Sequence, residues 1–364
     1  MKCTVRQADC FEGSRRRDTG IASRSGLQRL TLLAARGVTA LGLILGMSTF
    51  ARGQSPTLVE HIVSPTATQP CGADPTVPCI DPTLADHYAW LNPITTNNQL
   101  LVYLPGSGDV PANALLFQQL AAQLGYHVIG LMYEDRFFLA GLCGTDPDPN
   151  TCLFNAHFEI VYGADTSTTV QVSPTNSIVN LLTKFLQYLA TTYPQERWSR
   201  FLDNGQPNWS KIALSGWSQG AGNSATIAKY SVVPRVVMLS GVVDDLPIGP
   251  GSCQGGDSWL STHVTPSNRY WGLAHDQDSF GFYQHICPNW DTLGMSQFGP
   301  LVQVETNTPP YGATHMLFTD LLPQRGGYKL AHFSTVFDYY TPLFPDKTPE
   351  LGDAWQYMLT APQR

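Results

Sequence analysis

The sequence predicts an α/β fold with a mostly parallel, doubly wound sheet and disulfide-bearing loop insertions. Strand-like and helix-like segments alternate from about residue 98 onward. An apolar run over 100–104 stops at Pro-Gly, as buried strands often do. A helical pattern over 112–124 ends before a glycine, and a second apolar run follows over 127–133. A strand, a helix and a strand within about 35 residues indicate a βαβ unit.

The rest of the chain continues the same alternation. A long amphipathic helix is predicted to start after Ser173-Pro174 and to end before Pro194. Four more strands are predicted, at 211–214, 235–239, 269–274 and 301–305. A small-residue helix that ends near 230 follows the first of them, and another helix is predicted over 279–293. We predict one α/β domain over 98–364, an irregular lead-in over 52–97, and irregular insertions over 134–172 and 245–268.

The composition suits a chain that folds around a large core. Of its 364 residues, 43% are hydrophobic and 13% are charged, which excludes a disordered chain. The first 51 residues carry a net charge of +5 and the remaining residues carry −12. An acidic body repels phosphate groups, so the charge argues against nucleic-acid binding and against adhesion to anionic membranes.

The first 51 residues have the features of a secretory signal peptide. Three arginines precede an apolar run over 38–51: Arg24, Arg29 and Arg36. Residues 49–51 form a small-residue cleavage site. The run has about 14 residues, fewer than a membrane-spanning helix needs. We predict a secreted or periplasmic protein with no stable membrane span after signal removal; an uncleaved N-terminal anchor is the alternative.

Six cysteines follow the predicted signal peptide. Pairing of nearest neighbours is the simplest arrangement, and it predicts three disulfides, Cys71–Cys79, Cys143–Cys152 and Cys253–Cys287. Disulfides agree with export to an oxidising compartment. No Cys or His spacing is typical of a zinc site, so the sequence predicts no metal.

Residues 216–220, Gly-Trp-Ser-Gln-Gly, match the pattern G-x-S-x-G between a predicted strand and a predicted helix. In that context the serine occupies a sharp turn that lifts its hydroxyl out of the sheet. The flanking glycines leave room for the turn, and the helix N-terminus directs N–H groups at a developing oxyanion. We predict Ser218 as a nucleophile; an inert serine in a plain turn is the alternative.

A serine nucleophile needs a base, which is most often a histidine. For a nucleophile on such a turn, the expected chain order is serine, acid, histidine. His315 follows the predicted last strand, 301–305, and is therefore the predicted base. His332, 17 residues further on, is the competing candidate.

The carboxylate that orients the histidine is predicted to be Asp278, just beyond the strand over 269–274. Asp276 lies in the same loop and is one alternative. Asp244 and Asp245, after the preceding strand, are the other.

An oxyanion hole requires two backbone N–H groups. Gln219, directly after the serine, is predicted to supply one. Ser107, in the loop after the strand over 100–104, is predicted to supply the other, with Gly108 as the alternative. No nucleotide-binding glycine motif is present, so no cofactor is predicted. Trp217 is predicted to line the substrate pocket; a plain core aromatic is the alternative.

With these residues placed, the chain resembles the α/β-hydrolase superfamily over roughly residues 98–340. The segments 209–222, 235–240, 268–278 and 312–315 look like those of a poorly characterised group of secreted bacterial hydrolases. The resemblance implies a triad of Ser218, Asp278 and His315. Two positions depart from that group, which often has histidine where Trp217 and Asn223 stand.

The sequence thus predicts an exported serine hydrolase that cleaves carboxylic esters through an acyl-enzyme. Its expected partner is a small-molecule or polymeric ester. A peptidase or amidase with the same triad is one alternative. A non-catalytic binding protein of the same fold is another.

Overall fold

A computed structural model describes residues 57–72, 76–244 and 253–363, which belong to one compact unit, Gln54–Arg364. The predicted signal peptide and Asp245 lie outside the described residues. The strands, in chain order, are β1 Val59–Val63, β2 His87–Leu91, β3 Leu100–Leu104, β4 His127–Gly130, β5 Leu202–Asp203, β6 Gln206–Pro207, β7 Ile212–Trp217, β8 Val236–Leu239, β9 Tyr270–His275, β10 Val302–Gln303 and β11 Met316–Thr319.

Nine of these strands form one sheet, in the order β1-β2-β4-β3-β7-β8-β9-β11-β10. The pairs from β4 to β10 are all parallel, while β2 is antiparallel to both β1 and β4. The short strands β5 and β6 form a separate hairpin. The prediction of an α/β fold with a mostly parallel sheet is confirmed.

The α-helices of the described residues cover both faces of the sheet. They are α1 Pro65–Thr68, α2 Leu115–Gln123, α3 Leu139–Cys143, α4 Pro149–Tyr162, α5 Ile178–Thr192, α6 Gln219–Tyr230, α7 Cys287–Thr292, α8 Ala331–Ser334 and α9 Gly352–Thr360. A single π-helical turn, Phe282–Ile286, leads into α7.

The apolar residues of β3 are buried on both faces because successive side chains of a strand point to opposite sides. Leu100, Val102 and Leu104 belong to the core under α4, α5 and α6. Leu101 and Tyr103 belong to the core under α2 and α9. A strand buried on both faces has the continuous apolar run that the sequence shows.

Three segments differ from their predictions. The lead-in contains β1 and β2, whose short apolar runs are bounded by irregular polar stretches. The insertion over 134–172 contains the 14-residue helix α4, which packs on α5 and α6. The strand β11 was not predicted, and it lies between β9 and β10 in the sheet.

The topology brings two loops together at one edge of the sheet. In the sheet, β3 lies between β4 on one side and β7 on the other. In that register Leu104 is opposite Gly216, so the loop after β3 lies beside the loop after β7. Ligands of open α/β sheets bind at such switch points, beyond the carboxyl ends of the strands.

The three predicted disulfides, Cys71–Cys79, Cys143–Cys152 and Cys253–Cys287, are all present. The first closes a loop near α1, the second joins α3 to α4, and the third fixes the start of α7. Over the described ranges, no helix has the length and apolarity to cross a membrane.

The C-terminal end of α9 is held by a buried arginine. Arg235 donates hydrogen bonds to the carbonyl groups of Met358 and Ala361, both at 2.5 Å. Its guanidinium also lies 3.9 Å from the centre of the Trp271 ring. A cation at the carbonyl end of a helix satisfies carbonyl groups that have no partner within the helix.

We therefore expect Arg235→Met to lower the free energy of unfolding by about 3 kcal/mol, because hydrogen bonds from a buried charged group are lost. Chemical denaturation followed by circular dichroism measures the change. Arg325→Met is the matched control, since Arg325 is exposed and lies over the Tyr339 ring in a similar way. An equal effect of the two substitutions would contradict this account.

Candidate active site

The turn between β7 and α6 has the geometry of a nucleophile elbow. Ser218 has φ 53° and ψ −120°, a backbone conformation that is strained for a residue with a side chain. Its N–H donates to the Leu239 carbonyl at 2.9 Å, and its own carbonyl accepts from the Ala221 N–H at 3.0 Å. These bonds hold the strained turn between β8 and the first turn of α6.

Both glycines of the motif are required by close packing. A Cβ atom at Gly216 would overlap the Gly220 carbonyl group, and one at Gly220 would overlap the carbonyl groups of Leu104 and Pro105. The turn therefore closes onto itself and onto the loop after β3. This explains why the pattern tolerates only glycine at the two positions in this structure.

Asp278 and His332 form a hydrogen-bonded pair beside this turn. Asp278 lies in the loop after β9, and His332 lies in α8; both side chains are buried. The imidazole Nδ1 donates to both carboxylate oxygens, at 2.8 and 2.9 Å. Asp278 also accepts from the Phe280 N–H at 2.9 Å. A carboxylate bound in this way fixes the imidazole orientation.

The second nitrogen of His332, Nε2, is buried and has no hydrogen-bond partner among the described residues. In a neutral imidazole with a proton on Nδ1, Nε2 carries a lone pair and accepts a proton. His332 and Ser218 line the same cavity. An imidazole held by a carboxylate and a serine on a sharp turn therefore line one cavity.

Trp217 links the turn to the histidine. Its indole Nε1–H donates to the His332 carbonyl at 2.9 Å, and the two rings are 4.8 Å apart. The indole also packs against Phe333 and Phe337. Trp217 thus lines the cavity and belongs to the core as well; its role in binding a substrate stays a prediction.

His315, the predicted base, is not in this cavity. Its Nδ1 donates to the Tyr270 carbonyl at 2.8 Å, and its ring is stacked between Trp271 and Phe298, each at 4.4 Å. Burial lowers its pKa from 6.5 to about 4, so the ring is neutral. The placement of His315 with Asp278 and Ser218 was therefore wrong.

The error follows from the missed strand. The expected histidine lies after the last strand of the set, and the sequence predicts 301–305 as that strand. The structure adds β11, which begins directly after His315. The loop after β11 leads to His332 instead, the alternative that the sequence offered.

The other candidate acids have different surroundings. Asp276 lies beside His275, with Oδ1 3.0 Å from Nδ1, and this oxygen has no hydrogen-bond partner among the described residues. Asp244 lines the cavity but pairs with His157, Oδ2 to Nε2 at 2.6 Å. No motif in the sequence predicts this second pair, whose members are 87 residues apart.

The two predicted oxyanion-hole residues are in contact. The Ser107 hydroxyl donates to Gln219 Oε1 at 2.6 Å, across the gap between the loop after β3 and the start of α6. The alternative, the Gly108 N–H, already donates to the Asp135 carbonyl at 2.9 Å. Tyr133 anchors the same loop by donating its hydroxyl proton to the Pro105 carbonyl at 2.6 Å. The Gly108 N–H thus already has a partner, and the oxyanion role of the Ser107 N–H stays a prediction.

The cavity above Ser218 has a volume of about 120 Å³. Its apolar lining comes from the insertion after β4, the loops after β8 and β9, and α8: Phe138, Leu139, Ala140, Val243, Phe280 and Phe333. In the part of the chain that the structure describes, no three His, Cys, Asp or Glu residues cluster as metal ligands would.

Replacing Gly216 by alanine should prevent the turn from closing, because the new methyl group would overlap backbone atoms. We expect a loss of about 3 kcal/mol or more in the free energy of unfolding, measured by chemical denaturation. The control is Gly352→Ala, at the start of α9, where a Cβ meets no atom within 4 Å. A Gly216→Ala protein as stable as this control would contradict the assigned packing.

Protonation of His315 should destabilise the fold. Its pKa is about 4 in the folded chain and 6.5 ordinarily, so its contribution is complete above pH 6.5 and decreases as the pH falls toward 4. His315→Asn keeps a donor for the Tyr270 carbonyl and does not titrate. Between pH 6.5 and 4, we expect the unfolding free energy of the variant to fall less steeply than that of the wild type. Parallel curves would show that His315 does not contribute.

Comparison of the chain with models of known protein families found no match, and comparison with curated proteins found none. The roles of the site residues are therefore argued from their geometry and chemistry.

Proposed function

We propose that the chain is an exported serine hydrolase of the α/β-hydrolase fold that cleaves carboxylic esters through Ser218, His332 and Asp278. One observation carries the proposal. A carboxylate-bound histidine and a serine on a strained strand-to-helix turn face one cavity. The mostly parallel sheet and the serine, acid, histidine order support it. The three disulfides favour a secreted or periplasmic location.

The first step forms the acyl-enzyme. Ser218 Oγ attacks the ester carbonyl carbon while its proton moves to His332 Nε2. The negative charge that develops on the carbonyl oxygen is stabilised by the N–H groups of Gln219 and Ser107. Asp278 stabilises the imidazolium. When the tetrahedral intermediate collapses, His332 returns the proton to the leaving alcohol.

The second step releases the acid. Water attacks the acyl carbon, and His332 Nε2 takes the proton from that water. The second tetrahedral intermediate expels the Ser218 oxygen, which recovers its proton from His332. The largely apolar lining strengthens the electrostatic interactions with the oxyanion, since it lowers the effective dielectric constant there.

The choice of base gives the sharpest test of this proposal. His332→Ala should lower kcat for a short ester such as p-nitrophenyl butyrate by about 10⁴-fold, as removal of a triad member does. Ser218→Ala should have an effect of the same order. His315→Asn is the matched control and should change kcat little, because His315 lies outside the cavity.

Initial rates with purified, oxidised protein measure these effects, and circular dichroism verifies folding. A large loss in His315→Asn with an active His332→Ala would reverse the assignment. A wild-type protein that hydrolyses none of the esters would contradict the ester-hydrolase proposal. Turnover of the matching anilide in place of the ester would favour the amidase alternative.

A further inference from the structure

A buried charge that the proposed mechanism does not use lies in the catalytic cavity. Asp244 lies in the loop after β8, is 3% exposed and lines the cavity with Ser218 and His332. Its Oδ2 is held by His157 Nε2 of helix α4, at 2.6 Å. A buried carboxylate is costly, so its position in an otherwise apolar wall requires an explanation.

Hydrogen-bond directions fix what Asp244 can bind. The Pro105 carbonyl only accepts, so Tyr133 donates to it, and the Tyr133 oxygen therefore accepts from Asn223 Nδ2 at 2.9 Å. Asn223 Oδ1 then faces His157 Nδ1 at 2.6 Å, and that nitrogen must carry a proton. The remaining shared proton lies between His157 Nε2 and Asp244 Oδ2. In either position it leaves the other Asp244 oxygen, Oδ1, as an acceptor.

The pKa of His157 agrees with these proton positions. Burial by itself would lower the pKa of His157, but the charge of the Asp244 carboxylate and the hydrogen bonds that His157 donates to Asp244 and Asn223 raise it. The Asp244 carboxylate thus favours the protonated form of His157. Among the described residues, His157 is the hydrogen-bond partner of Asp244, which leaves Oδ1 able to bind a donor in the cavity.

The other polar groups of the cavity already have roles in the reaction. In the proposed mechanism Ser218 and His332 carry out bond making and proton transfer, and the N–H groups of Ser107 and Gln219 bind the oxyanion. Asp244 is the remaining polar residue of the described lining. An acceptor in an apolar wall selects a ligand with a donor at that position, since a bound ligand without one covers the carboxylate oxygen and leaves it unpaired.

We propose that Asp244 is a specificity-determining residue that selects esters whose short acyl group carries a hydroxyl or an ammonium group. The inference rests on the proposed function. The acyl group remains bonded to Ser218 after the alcohol departs, so it is the part of the substrate that this small cavity holds. The cavity has a volume of only about 120 Å³, so a short acyl group of about the size of butanoate is a suitable probe.

The test compares p-nitrophenyl esters that differ in one substituent. The set contains butanoate and its 2- and 3-hydroxy, 2- and 3-fluoro, and 2- and 3-amino derivatives. Fluorine is close in size and polarity to a hydroxyl but has no proton to donate. The wild type should hydrolyse at least one hydroxy or amino ester with a kcat/KM about 10-fold or more above that of its fluoro counterpart, as expected for a hydrogen bond to a charged acceptor.

Two variants assign the preference to Asp244. In Asp244→Asn, the ratio of kcat/KM between donor and fluoro esters should fall toward 1. In Asp86→Asn, which changes an exposed carboxylate, the ratio should stay at the wild-type value. Because the readout is a ratio, a general loss of activity does not affect it, and the wild-type ratio remains a test if Asp244→Asn does not fold.

Each outcome has one meaning. A preference for hydroxy esters identifies a hydroxy-acid ester as the substrate class, and a preference for amino esters identifies an amino-acid ester. Equal rates for donor and fluoro esters in an active wild type would overturn the inference and leave the proposed function standing. A donor preference unchanged in folded Asp244→Asn would also overturn it. No activity on any ester would instead count against the proposed function.

Discussion

The backbone of Ser218 is the constraint on which the site depends. Its φ of 53° is held because β7 and α6 close on a turn in which Gly216 and Gly220 have no side chains. The same closeness brings the turn against the carbonyl groups that end β3. The end of β7, the start of α6 and the loop after β3 therefore all lie at Ser218. Strain of this kind persists only where the surrounding packing fixes it, and it is found mainly at functional sites.

The two positions that depart from the resembled group have defined contacts here. Trp217 donates to the carbonyl of His332, so the residue before the serine helps to hold the proposed base. Asn223, in the first turns of α6, joins His157 to Tyr133 and through it to the loop after β3. The proposed oxyanion loop and the proposed specificity residue are thus connected through one buried chain of hydrogen bonds.

Local signals in the sequence predicted much of the fold and part of the candidate site. Three features could be predicted because each depends on residues close together in the sequence. They are the strand–serine–helix unit, the loop after β9 with Asp278, and the three disulfides. The histidine was misplaced because β11 is short and was not recognised, which shifted the loop after the last strand. The pairing of His157 with Asp244 depends on packing between α4 and the end of β8, and no local pattern encodes it.

The activation of Ser218 by His332 is the central claim, and labelling with a fluorophosphonate tests it most directly. The intact mass of the purified, oxidised protein is measured after treatment, and peptide mapping locates the adduct. The account predicts a single adduct on Ser218 in the wild type and strongly slowed labelling in His332→Ala. An unlabelled wild type that is folded, or labelling of Ser218 at an unchanged rate without His332, would contradict it.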